Sequence, residues 1–103
     1  MAATPVGPVT VSAALPGGNR AALNITAAIA VKATPGVFAK VSVIVAGSTA
    51  GTLNDVATTG GAAAANQFGT VPNTVGTYTF DWPCGTGIVV VPGTGQTLAV
   101  SFS

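Results

Sequence analysis

From residue 22 onward, apolar and polar positions alternate along the chain with a period of two, which predicts half-buried β-strands. The pattern is clearest in residues 22–32, and it allows a bend at Ala27 and Ala28. An alanine-rich helix is the alternative, but the β-branched residues and the strict alternation favour a strand. One face of this predicted strand carries Leu23, Ile25, Ala27, Ile29 and Val31.

A second long strand is predicted over residues 37–45, after a Pro35-Gly36 pair that is typical of a type II turn. Because a short turn separates the two long strands, we expect them to form a hairpin. Lys32 and Lys40 would then lie together on its polar face. The other face of the second strand is expected to carry Val37, Ala39, Val41, Val43 and Val45.

The rest of the chain predicts further short strands. The strongest is residues 77–82, where Tyr78, Phe80 and Trp82 share one face, and we expect that face to anchor the core. The four alanines at 62–65 predict at most one marginal helical turn. Other strands are predicted at residues 52–57, at 68–71, at 88–91 and at 96–102, the last with Leu98, Val100 and Phe102 directed inward.

Seven or eight short strands with turn residues between them predict an all-β domain, an antiparallel β-sandwich. Jelly-roll and immunoglobulin-like strand orders both stay open, because one sequence does not reveal strand order. We place the β-sandwich domain at residues 19–103 and an extended N-terminal arm at residues 1–18. A short strand at residues 9–12 of the arm is free to pair with its own domain or with a neighbour.

Composition excludes several classes of function. Only 5% of the 103 residues are charged, there is no histidine, and Cys84 is the one cysteine. A histidine-dependent nucleophile and a four-ligand zinc site are therefore not available. The three cations, Arg20, Lys32 and Lys40, are too few and too scattered for a basic nucleic-acid-binding face. We predict no enzymatic activity, no cofactor, and no catalytic, cofactor-binding or metal-binding residue.

Low charge also bears on association. A chain that is 49% apolar with a net charge of +1 tends to bury its surface against copies of itself or against a larger assembly. No apolar run reaches the roughly 20 residues of a membrane-spanning helix, and residues 1–12 lack the pattern of a secretory signal. We therefore expect a homo-oligomer that contacts neither membrane nor nucleic acid.

The few chemically reactive residues have ordinary structural interpretations. Asp55 and Asp81 are the only carboxylates; they could form a glycosidase pair, but we expect two solvated surface acids. Cys84 lacks an activating base, so we expect a small, partly buried turn residue. An intersubunit contact or disulfide through Cys84 is the less favoured alternative.

Three further motifs are open to a functional interpretation. Gly85-Thr86-Gly87 and Gly93-Thr94-Gly95 are glycine-rich, but they lack the lysine and the following helix of a phosphate-binding loop, so we predict hairpin turns. Asn24-Ile25-Thr26 matches a glycosylation sequon, which matters only in a secreted protein. The stripe of Tyr78, Phe80 and Trp82 could be a ligand platform, although core packing is the favoured interpretation.

Parts of residues 22–103 resemble small virion proteins of tailed bacteriophages. The resemblance is strongest from Pro72 through Cys84 and from Gly87 through Gln96. Similar strings occur at Ile25-Thr26-Ala27-Ala28, at Val41-Ser42-Val43, and in Gly51-Thr52-Leu53-Asn54-Asp55 leading to Gly60. The arm is the part least like the family.

The resemblance implies a β-sandwich structural protein on the phage particle, of the capsid decoration (cement) type. Such a protein would bind and stabilise the assembled head as a homo-oligomer, with the major capsid protein or another virion protein as its partner. The alternative is a domain of a tail, baseplate or head fibre that acts in host adsorption. Both place the protein on the virion after synthesis in the host cytoplasm, and the family offers no active-site residues.

Overall fold

The structure, a computed structural model, describes residues 18–103 and is built from β-strands in two antiparallel sheets of four. We call the sheet with strand order β1-β8-β3-β6 sheet A and the sheet with order β2-β7-β4-β5 sheet B. The strands are β1 (Arg20–Ile25), β2 (Ile29–Lys32), β3 (Gly36–Val45), β4 (Gly51–Asn54), β5 (Gln67–Val71), β6 (Gly76–Cys84), β7 (Ile88–Val91) and β8 (Thr97–Phe102).

The predicted antiparallel β-sandwich is confirmed, and the strand order distinguishes between the two alternatives. β1 pairs with β8, β2 with β7, β3 with β6 and β4 with β5, so the chain forms one long antiparallel ribbon. Successive pairs of the ribbon lie in alternate sheets, and contacts of β8 with β3 and of β7 with β4 complete the sheets. This wrapping is the eight-stranded jelly roll and not the immunoglobulin-like order.

The predicted hairpin between residues 22–32 and 37–45 is wrong. β2 lies in sheet B and β3 lies in sheet A, so the Pro35-Gly36 turn carries the chain from one sheet to the other. The hairpin-turn predictions for Gly85-Thr86-Gly87 and Gly93-Thr94-Gly95 are wrong for the same reason, since each segment also connects strands of different sheets. Within residues 18–103, β4 and β5 are the only consecutive strands that pair.

The expected alternation in residues 22–32 is interrupted. The chain bends between β1 and β2, at residues 26–28, close to the bend that the pattern allowed. Asn24 has a left-handed backbone (φ 55°), and the pairing of β1 with β8 shifts register between Ala22 and Ile25. Ala22 and Ile25 therefore pack on the core, whereas Leu23 and Ile29, both expected on the apolar face, are 74% and 42% exposed.

A second irregularity lies where β3 pairs with β6. The register shifts between Phe38 and Lys40, opposite Asp81, whose backbone is also left-handed (φ 49°). Phe38 is consequently fully buried, whereas Val37 and Val45, both expected on the apolar face, are exposed. The predicted face of this strand is therefore correct for Ala39, Val41 and Val43 and wrong at its two ends.

The core lies between the sheets and consists of small and medium aliphatic side chains around one phenylalanine cluster. β7 matches its predicted bounds, and β8 directs Leu98, Val100 and Phe102 inward as predicted. The region of the four alanines forms two short 3-10 turns, Thr59–Gly61 and Ala64–Asn66.

The predicted arm at residues 1–18, with its strand at 9–12, lies outside the described residues except for Gly18. The first described contact is that of Asn19, whose backbone N–H donates to the carbonyl of Phe102 at 3.0 Å. In the part of the chain that the structure describes, no helix has the length and apolar character needed to cross a membrane.

Candidate functional site

Asp55 organises the turn between β6 and β7. Its Oδ2 accepts a hydrogen bond from the N–H of Gly85 at 2.9 Å, and its Oδ1 accepts from Thr86 at 2.8 Å and from Gly87 at 3.2 Å. These bonds, that of Gly85 first, hold the pKa of the Asp55 carboxyl below its ordinary value of 3.8, against a smaller opposing effect of burial. Asp55 is therefore a surface carboxylate that also binds a loop, a role that the expectation of a solvated surface acid did not include.

Asp81 does not share that role. It lies exposed on β6, at the left-handed position of the register shift. Because both oxygens of Asp55 accept hydrogen bonds from backbone amides, which stabilise the ionised carboxylate, this group stays charged and is not poised to exchange a proton. The described geometry holds no feature that pairs the two acids for glycoside hydrolysis.

Cys84 is the last residue of β6. Its side chain is buried in the core cluster, and its thiol lies 3.8 Å from the carbonyl oxygen of Trp82. Burial, and secondarily the negative charge of Asp55, raise the pKa of the thiol to about 11. The thiol is therefore protonated at neutral pH and is not an activated nucleophile. Among residues 18–103 no three His, Cys, Asp or Glu side chains come together as metal ligands.

Four loops lie together at one end of the sandwich, because antiparallel pairing aligns the ends of β1 and β3 with the starts of β6 and β8. We call this end the uncharged end. It comprises residues 26–28, residues 46–50, residues 72–75 and residues 92–96. None of the five charged side chains of the protein belongs to these loops.

Side chain–backbone hydrogen bonds tie three of these loops to one another. Asn73 makes a reciprocal pair with Gly47, donating to its carbonyl at 2.6 Å and accepting from its N–H at 2.7 Å. Thr49 accepts from the N–H of Thr94 at 2.8 Å. These hydrogen bonds join residues that lie 26 to 45 positions apart in the chain, and they fix the three loops relative to one another. The uncharged end is therefore a preorganised surface.

A buried glutamine lies beneath the same loops. Gln96 accepts from the N–H of Gly93 at 2.9 Å and donates to the carbonyl of Pro72 at 3.0 Å. Its side chain is almost fully buried, so both ends of the amide are satisfied by backbone rather than by water. Gln96 therefore contributes a cross-brace between two loops and is not directed at a ligand.

The surface of the uncharged end mixes aliphatic and hydroxyl groups. Val75, at its tip, is 63% exposed, and Val45 and Ile44 at the end of β3 are about half exposed. Small exposed residues, among them Ala46 and Ser48, follow in the next loop. The residues at the centre of protein interfaces are likewise apolar and rarely charged, and they become buried when the partner binds.

The loop at the opposite end that joins β4 to β5 is also fastened from within. Asn54, buried, donates to the carbonyl of Ala63 at 3.0 Å and to Oδ1 of Asn66 at 2.8 Å. Asn66 in turn donates to the carbonyl of Gly61 at 2.8 Å. These amides satisfy the backbone of the two 3-10 turns, which explains how a stretch of small residues holds one conformation.

The aromatic stripe of β6 divides between core and surface. Tyr78 and Phe80 pack against the core as expected, but Trp82 is 46% exposed. The Trp82 ring stacks on Phe68 of β5 with 5.9 Å between centroids and 6° between planes, and Phe68 meets Phe38 edge-on at 5.8 Å. Since β5 and β6 are edge strands of opposite sheets, this stack closes one margin of the sandwich while leaving part of the indole in contact with solvent.

Sequence reasoning named the chemically reactive residues but missed those that shape the surface. Asn54, Asn73 and Gln96 carry the loop contacts, and none was singled out. A signal was present for Asn73, which follows a proline, as is typical of asparagines whose side chains satisfy a turn backbone. Their partners are distant in sequence, so the contacts themselves could not be inferred.

No protein-family model, curated protein or solved structure matches this chain. A function therefore has to be argued from the fold and from the surfaces described above.

Proposed function

We propose that this chain is a structural protein of a tailed-phage virion, a capsid decoration protein that binds the assembled head as a homo-oligomer and stabilises it. The observation that carries the proposal is the uncharged end, with its exposed Val75 and its interlocked loops. The jelly roll occurs in viral capsid and lectin domains, a likeness of fold that does not by itself specify function.

The physical chemistry of the uncharged end suits docking onto a larger assembly. Burying a charge without a partner is costly, so a surface with none loses little on dehydration. Loops that are already hydrogen-bonded to one another lose little conformational entropy on binding. A protein that binds only the assembled shell then stabilises it by mass action, and joining several copies in one oligomer strengthens the attachment through avidity.

The test is co-sedimentation of the purified protein with mature phage heads. We expect wild-type protein to pellet with heads and Val75→Glu to lose most of this binding, because the variant brings a carboxylate into the uncharged end. Ala65→Glu is the matched control, since it adds the same side chain at an exposed position in a 3-10 turn at the opposite end. Failure of wild-type protein to bind heads, or equal binding by both variants, would contradict the proposal.

The homo-oligomer is tested separately by light scattering. A discrete mass that is a multiple of the 9.8 kDa chain is expected. A mass of a single chain at all concentrations would contradict self-association and leave the particle as the only partner.

One observation favours the second candidate, a tail, baseplate or head-fibre domain that acts in host adsorption. The partly exposed face of Trp82, held in place by Phe68, is a flat apolar surface of the kind that stacks on sugar rings. Titration with host cell-surface polysaccharide, followed through Trp82 fluorescence, tests it. A saturable change in emission together with failure to bind heads would replace the decoration role with adsorption.

A further inference from the structure

Two of the three cations of the protein line one cavity. Arg20, Lys32 and Thr34, together with Val31 and Phe102, line a cavity of about 300 Å³ that is partly open to solvent. Arg20 is the first residue of β1 in sheet A and Lys32 the last residue of β2 in sheet B. The cavity therefore lies where the sandwich opens between the sheets, at the end opposite to the uncharged end.

This concentration of charge requires a physical reason. In a chain with so few charged residues, two like charges that share a cavity repel each other and gain nothing from proximity. An anion between them converts the repulsion into two attractions. Asp55, the one acidic residue in the loops at that end of the described fold, uses both oxygens to accept hydrogen bonds from the amides of the turn at Gly85.

The aliphatic part of the Lys32 side chain packs against the backbone of β3. Its aliphatic carbons lie over Gly36, the first residue of β3, so closely that a Cβ at that glycine would come within 2.9 Å of Cδ and 3.1 Å of Cε. The Lys32 side chain is half-buried. Lysines commonly pack their stems on apolar surface and keep the ammonium group in water, and Lys32 is one of the residues that line the cavity.

We propose that this cavity binds a small oxyanion, either a phosphate or a carboxylate group. Arginine presents a planar fork that matches two oxygens of either group, and lysine adds a point charge. The Thr34 hydroxyl supplies a neutral donor. The volume equals that of about ten water molecules in the liquid, which is room for the oxyanion with part of the molecule that carries it. The site does not rest on the virion role, because none of the residues that line the cavity belongs to the uncharged end.

The test is a titration of the full, isotope-labelled chain with inorganic phosphate and, separately, with acetate, followed by NMR of the backbone amides. We expect saturable shifts at Arg20, Lys32 and Thr34. Sodium chloride at matched ionic strength is the blank. Tighter binding of phosphate would identify a tetrahedral ligand, and tighter binding of acetate a carboxylate such as an acidic side chain of a partner; both outcomes support an oxyanion site.

Three variants distinguish specific binding of the anion in the cavity from unspecific attraction of the anion to a positively charged side chain. Arg20→Gln and Lys32→Gln should each weaken binding about tenfold, because each removes a charged hydrogen-bond donor. Lys40→Gln removes the same charge from the outer face of sheet A, where Lys40 lines a different groove, and should change affinity less than twofold.

The proposal is overturned if neither anion gives saturable shifts beyond those of sodium chloride. It is equally overturned if Lys40→Gln weakens binding as much as the two cavity variants do. The wild-type titration decides the question even where a variant folds poorly.

Discussion

Replacing Asp55 by asparagine is the most direct test of how this fold is held together. The carboxylate binds three backbone amides with its two oxygens. An asparagine amide keeps one oxygen, which can still accept from Thr86 and Gly87, but it turns an NH₂ group toward the N–H of Gly85. The variant therefore loses one charge-assisted bond, places two donors face to face, and weakens the other two bonds by removing the charge.

The expected cost follows from the geometry. A hydrogen bond to a charged group contributes about 1.5 to 3 kcal/mol. Gly85 and Thr86 are exposed, so water replaces part of what their amides lose, and screening lowers the value further. We expect the free energy of unfolding to fall by about 1.5 kcal/mol, and the Tm of a domain this size to fall by about 6 to 12 °C.

Asp81→Asn is the matched control. It removes the same charge from an exposed carboxylate, and asparagine tolerates the left-handed backbone at that position. A surface change of this kind is expected to cost less than about 0.5 kcal/mol. The assay is urea unfolding followed by far-UV circular dichroism and by the fluorescence of Trp82, the only tryptophan.

The pH dependence gives an independent check. The pKa of Asp55 is lowered in the folded state, so its contribution is fully present above the ordinary value of 3.8 and is lost as the pH falls through the folded-state pKa. The stability difference between wild type and Asp55→Asn should therefore stay constant from neutral pH down to about that ordinary value and close below it. Equal losses in the two variants, or a difference that persists unchanged in acid, would refute the reasoning.

Three further predictions concern the register shifts, the aromatic margin and the thiol. Asn24→Gly should leave stability nearly unchanged and Asn24→Ala should cost about 1 kcal/mol by thermal unfolding, since only the second strains a left-handed residue; equal costs would contradict this. Phe68→Ala should shift Trp82 emission to longer wavelength and lower the free energy of unfolding by about 3 kcal/mol in urea; an unchanged spectrum would disprove the stack. Cys84, with its pKa raised to about 11, should react with a thiol reagent at neutral pH only after unfolding, and rapid labelling of the native protein would show that it is accessible.

The elements predicted best are those whose pattern depends on neighbours in sequence alone. β7 and the inward face of β8 were correct because uninterrupted alternation, or a short apolar run between turns, has one simple solution in a sandwich. The errors of face fall at Leu23, Ile29, Val37 and Val45, which lie in strands whose pairing shifts register. A one-residue shift moves every following side chain to the other face, and nothing in a period-two pattern reports it.

The candidate surface was less accessible to sequence reasoning than the fold. The low charge that favours association was evident from composition, but its distribution was not. Arg20 and Lys32 lie twelve positions apart and were described as scattered, yet they line one cavity. Asp55 was expected to be solvated, yet it binds a turn thirty residues further along the chain.

The amino-acid sequence by itself determined that this protein is all-β, where most of its strands lie, and that it carries almost no charge. These properties depend on the residues present and on their local periodicity, which each segment carries with it. Tertiary structure alone decided the jelly-roll strand order, the fully uncharged end, and the placement of Arg20 and Lys32 around one cavity at the opposite end. These depend on which distant segments pair, because the free energy that selects the pairing comes from burying both sheets at once rather than from any one strand.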